Sequence, residues 1–105
     1  MKCIAMGKYS PTVIKGVLAD PAGRVATMKA VIESLGGTWI EGFFMRGQFD
    51  FGFLCEMPDE ESIAAMHAIV YSAGSVESVS IHTEMDMEKV AAAAAKATGA
   101  YTPPS

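Results

Sequence analysis

Glu41, His67 and His82 are the side chains of this sequence best suited to move a proton near neutral pH. Glu41 stands inside the aromatic run Trp39-Ile40-Glu41-Gly42-Phe43-Phe44. In a regular strand it shares a face with Trp39 and Phe43. A carboxylate on such a face either has a partner or sits in the dry setting that suits a general base. The plainer alternative is a glutamate near a sheet edge whose head reaches water or a basic side chain. His82 follows Ser78 and Ser80 at strand spacing, so the three form one polar strip that could line the wall of a cavity. His67 falls beside Ile63 and Val70 at helical spacing and reads as a histidine at the boundary of a core. Glu41 and His82 are therefore the candidate catalytic residues. No H-x-H, H-E-x-x-H or C-x-x-C spacing occurs, so no metal site is expected. No cofactor is expected either: there is no phosphate-binding glycine pattern or serine nucleophile elbow, and nothing selects a histidine for haem.

The elements that must hold these residues centre on a β-hairpin from Thr38 to Asp59, with Gly47-Gln48-Phe49 as a three-residue loop. Pairing Arg46 with Asp50 puts Trp39, Glu41, Phe43 and Met45 on one face with Phe51, Phe53, Cys55 and Met57. Ile40, Gly42 and Phe44 then share the other face with Gly52, Leu54 and Glu56. On this register Trp39, Phe43, Phe53 and Cys55 line any apolar ligand pocket. Ahead of the hairpin, residues 1–9 read as a central strand, apolar or small on both faces. Ser10-Pro11 and Asp20-Pro21 each read as a cap followed by proline at a helix start. The second opens a helix with Val25, Met28, Ile32 and Leu35 as its stripe, Lys29 and Glu33 paired on its flank, and Gly36-Gly37 as its stop. After the hairpin, Asp59-Glu60-Glu61 opens a helix striped by Ile63, Met66, Val70 and Ala73 and stopped by Gly74. Val76 to Thr83 is a last strand. Met85 to Thr98 is an alanine-rich helix by propensity, and residues 100–105 are a tail. The division is a domain over 1–84 and a C-terminal helix and tail over 85–105.

Strand, helix, hairpin, helix, strand is the order of a ferredoxin-like α+β plait, with an antiparallel sheet in the order 4-1-3-2 and both main helices on one face. Both faces of the hairpin carry large apolar side chains, so the face without helices needs a cover, and a second copy about a two-fold axis is the simplest one. The expected partner is thus the chain itself, as a homodimer or higher oligomer. Half of the 105 residues are hydrophobic and the net charge is −4, with eight scattered basic residues. That leaves no footprint for nucleic acid. No apolar run is long enough to span a membrane, and a cytoplasmic protein is expected. Cys3 and Cys55 read as buried thiols, and eight methionines suit adaptable cores or contact surfaces.

The run Glu41-Gly42-Phe43-Phe44-Met45-Arg46-Gly47-Gln48-Phe49-Asp50, followed by an apolar strand and Pro58-Asp59-Glu60, resembles the GYD-domain family. That family lies in the dimeric α/β-barrel superfamily. Its named motif falls on Gly47, Gln48, Phe49 and Asp50. Lys8-Tyr9-Ser10-Pro11, Gly36-Gly37 and Ala73-Gly74 also match, and the resemblance covers about residues 2–84. Phe49 stands where the family has tyrosine, so a role for a phenol hydroxyl has no support there. The motif reads structurally: Gly47 supplies a positive φ, Asp50 caps loop amides or pairs with Arg46, and Phe49 packs. The resemblance implies a ferredoxin-like dimer. Superfamily relatives include cofactor-free monooxygenases, small decarboxylases or dehydratases, haem-using enzymes and ligand-binding proteins.

Three functions follow as expectations. The first is a small dimer enclosing an apolar or aromatic molecule between its sheets. The second is a cofactor-free oxygenase or lyase in which Glu41 or His82 handles a proton. The third is an assembly module with a filled interior, built through its C-terminal helix.

Overall fold

The structure is a computed structural model and describes residues 1–104. Strand β1 (Lys2–Tyr9) leads through a 3-10 turn at Pro11–Val13 into α1 (Ile14–Ala19) and α2 (Pro21–Ser34). Then come β2 (Thr38–Phe44), β3 (Phe51–Glu56), α3 (Glu60–Ser72), β4 (Val76–Thr83) and α4 (Met87–Ala97), the last followed by a 3-10 turn at Thr98–Ala100. Residues 101–104 form no regular element; of the expected tail, Ser105 lies outside the described residues. The helix starts follow local chemistry. Asp20 accepts from the amide of Gly23 at 3.0 Å ahead of Pro21, and Asp59 accepts from the amide of Ser62 at 2.8 Å. Ser10 departs from its expected role as a cap. Its amide donates to Ser75 O and its hydroxyl to Gly74 O, tying β1 to the turn before β4. Gly36 and Gly74 end α2 and α3 at φ +82° and +73°, the left-handed conformation of a helix stop.

The sheet is antiparallel in the order β2-β3-β1-β4, the plait expected from the order of elements. The hairpin register, however, differs from the expected one. The turn closes with the Met45 amide on Asp50 O at 2.8 Å, and Phe44 lies opposite Phe51. The ladder then slips between Trp39 and Glu41, leaving Ile40 as the extra residue of a β-bulge. Trp39 pairs with Cys55, but Glu41 pairs with Leu54, Gly42 with Phe53 and Phe43 with Gly52. Glu41 and Phe43 therefore lie on the opposite face from Trp39. The expectation that Glu41, Trp39 and Phe43 share a face opposite Cys55 is overturned. Unbroken alternation would have put a carboxylate into the core, and one inserted residue turns it out.

Helices α2 and α3 cover the face that carries Cys3, Ala5, Tyr9, Phe51, Phe53 and Cys55, and Ile32, Met57 and Met66 seal it without measurable exposure beyond 2%. The Trp39 ring stacks on Phe53 at 5.3 Å and also lies over Gly42, where no side chain could fit. Helix α4 is different. All its residues are exposed, and among the described residues its main contacts are with the turn that follows it. The radius of gyration is 17.4 Å, against about 13 Å for a compact domain of this length. Replacing Gly42 by alanine is expected to push a Cβ into the Trp39 ring and to cost about 1–3 kcal/mol in urea unfolding. Gly16→Ala, in α1 with open space around it, is expected to gain about 0.5–1 kcal/mol in the same measurement.

Candidate functional site

The face without helices is ordered in rows by the three strand registers. One row runs Glu41, Leu54, Ile4, His82; the next runs Phe43, Gly52, Met6, Ser80. Below them Glu56 stands beside Lys2, and above them Lys8 stands beside Ser78. Phe43 and Met45 fold over Gly52, which explains how a glycine on an open face is itself buried. The middle of the face is apolar and its margin is polar. At the β4 side a hollow of about 280 Å³ opens over Ile4 and Leu54, walled by His82, Thr83, Lys2 and Glu84. His82 Nε2 is hydrogen-bonded to Ser80 Oγ, and the Lys2 amide donates to Glu84 Oε1 at 3.0 Å.

The candidate residues thus divide. Glu41, His82 and Phe43 share the open face, although Glu41 and His82 stand three strand spacings apart, roughly 14 Å. Trp39, Phe53 and Cys55 do not join them. They belong to the core beneath α2 and α3, while Trp39, Phe53 and Phe43 still meet at one small space by the β2 edge. That space, bordered by Tyr9, Arg24, Trp39, Phe43, Phe51 and Phe53, is about 20 Å³, enough for one water. His67 is exposed on α3, edge-on to Tyr71 at 6.1 Å. In the turn, Gly47 has φ +130° as expected, and Phe49 is half-buried. Asp50 has another role than the one expected: its Oδ2 accepts from the Tyr9 amide at 2.8 Å, and its own amide donates to Gly7 O. It pins the loop to β1. A second hollow of about 250 Å³ lies outside α1, between Ile14, Leu18, Phe44, Tyr9 and Asp50, but its one carboxylate is already engaged by that amide. Ile4, Met6 and Leu54, the floor of the open face, were expected on apolar faces of their strands but not as site residues; the alternation of β1 and β3 carries their signal.

Comparison with known proteins finds that the GYD domain family model matches residues 3–94, through the sheet and into α4. No curated protein matches the sequence significantly. Among solved structures, the chain is similar to 5-chloro-2-hydroxyhydroquinone dehydrochlorinase (TftG) from Burkholderia phenoliruptrix, in complex with 2,5-dihydroxybenzoquinone. The TM-score is 0.56 at 10% identity, over 81% of this chain and 94% of that one. At that identity the likeness is one of fold.

The two thiols face each other across β1 and β3 in the helix-side core, free and almost fully buried. Burial pushes both up, and the neighbouring Cys3 helps to bring Cys55 to about 11. A thiol ordinarily ionising near 9 thus keeps its proton in the folded state. The associated stability is present below pH 9 and is lost as pH rises from 9 through 11. Urea midpoints are expected to fall across that window, with a flatter fall in Cys55→Ala. At pH 8 a bulky thiol reagent should label neither cysteine until the chain unfolds.

Proposed function

The chain belongs to the GYD domain family, and on that premise we propose that two copies pack open face to open face and enclose a small apolar or aromatic molecule. The observation that carries this is the bare row Glu41, Leu54, Ile4, His82 beside a hollow of about 280 Å³. Phe43, 36% exposed, and the half-buried Ile4, Met6 and Leu54 form a contiguous apolar centre that a monomer would rarely leave to water. Covered by a second sheet about 10 Å away, the hollow lies near the lower end of the size range of ligand pockets. Its floor is apolar, and its ionisable groups are few and at the edge. Phe43 contacts the ligand, and Glu41 and His82 accept or deliver its protons. The similar dehydrochlorinase was solved with a small quinone bound, which suits the same class of molecule.

A second contribution to assembly comes from α4. A four-stranded face of this length projects only roughly 400–500 Å² at ordinary strand spacing, short of the about 800 Å² per partner of a standard interface. An 11-residue helix without packing is marginal in water, and this one presents Met87, Val90 and Ala94 at helical spacing. Packing that stripe on the second copy supplies the missing area.

Light scattering at micromolar concentration is expected to give twice the chain mass, and Leu54→Glu to give a monomer. A stable wild-type monomer would sink the proposal. Thermal-shift screening with phenols, hydroquinones and quinones should find stabilising compounds, with His82→Ala lowering affinity about tenfold for the loss of one hydrogen bond to an ionisable group. Removing residues 85–105 should weaken dimerisation at least tenfold; an unchanged dissociation constant refutes the role of α4.

A further inference from the structure

Where two sheets stack with their strands aligned about a two-fold axis centred on the face, that axis runs either along the strands or across them. With the axis along the strands, each row meets itself in reverse order. Glu41 then faces His82 of the second copy, Leu54 faces Ile4, Met6 faces Gly52 with the Phe43 and Met45 side chains folded over it, Phe43 faces Ser80, and Lys2 faces Glu56. With the axis across the strands, the row of Lys2 meets the row of Lys8. Lys2 then faces Lys8, Ile4 faces Met6, Glu41 faces Phe43, and His82 faces Ser80. The first arrangement sets Lys2 against Glu56, a carboxylate against an imidazole, and Leu54 against Ile4, with Phe43 over Ser80 as its one unlike pair. The second opposes two lysines, twice over, and covers a carboxylate with a phenyl ring, which costs both repulsion and unpaired desolvation.

We propose that the second copy docks with the two-fold axis along the strands, so that its Glu41 completes the His82 site, once on each side of the dimer. This rests on the sheet-to-sheet dimer proposed above and specifies its site. Within one chain Glu41 and His82 are roughly 14 Å apart and cannot serve one small molecule together. Across the interface the carboxylate becomes the roof of the hollow that has Ile4 and Leu54 as its floor and His82 with Ser80 as its wall. A site with an imidazole, a hydroxyl and a carboxylate around an apolar floor takes a compact ring bearing hydroxyl groups, whose O–H bonds donate to Glu41 and His82.

The arrangement is read directly by cysteine cross-linking, since Glu41 and His82 are exposed and the native thiols are buried. The Glu41→Cys/His82→Cys double variant, treated with a short bismaleimide whose spacer suits thiols on sheets stacked about 10 Å apart, is expected to run as a covalent dimer on a denaturing gel. Each single variant alone should give at least tenfold less. A one-to-one mixture of the two single variants should cross-link as well, which keeps the test available if the double variant does not fold. Strong cross-linking of either single variant to itself would overturn the axis and keep the dimer, because the crosswise arrangement brings each position close to its own copy. A dimeric double variant without cross-links overturns the composite site. A wild-type monomer by light scattering overturns the dimer itself.

Discussion

A four-stranded sheet has two faces, and this chain spends its packed helices on one of them. That constraint governs the rest of the structure. On the covered side, Ile32, Met57 and Met66 are sealed, and the aromatic rings of β3 pack against Tyr9 and Trp39. Such a core is close-packed, and filling it supplies the stability of a domain of this size. Nothing comparable covers Ile4, Met6, Phe43 and Leu54. Stability comes from one face of the sheet, and function is open to the other.

The β-bulge at Ile40 determines which residues go to which side. Because side chains alternate along a strand, one inserted residue exchanges the two faces for everything beyond it. Trp39 stays with the core, and its ring takes the space that Gly42 leaves vacant on the same side. Glu41 and Phe43 cross to the open face. The aromatic content of β2 is thereby divided between a core that needs large rings and a surface that needs a cover.

What could be read in the sequence was what depends on neighbours in the chain. The strand and helix order, the Asp20 and Asp59 caps, the stripe of α3 and the stops at Gly36 and Gly74 each follow from chemistry within a few residues, and each is present. The failures were non-local. Ile40 is an ordinary strand residue, and nothing beside it marks it as the extra one. Asp50 was assigned to loop amides or Arg46 because those are close in sequence, while its partner, the Tyr9 amide, arrives from 41 residues away. The expected pairing of Arg46 with Asp50 around a three-residue loop gives way to Met45 with Asp50 around the four residues Arg46 to Phe49, and that shift moves Glu41 and Phe43 to the open face. Helix α4 was legible by alanine propensity, but its lack of packing on its own domain could only be seen in three dimensions.

The position of Glu41 links these points. Opposite Cys55, under the helices, its carboxylate would have lain among buried thiols and aromatic rings, a costly site for a charge. On the open face it takes a place in the same row as His82, at the rim of an apolar centre. Together with Lys2, Lys8 and Glu56 it gives that face a pattern of sign as well as a hydrophobic patch. An apolar patch alone would accept many partners in many orientations, whereas a patterned margin penalises all but those that match it. A carboxylate kept out of the core by a single inserted residue is thus available both to select the partner and to meet whatever the partner encloses.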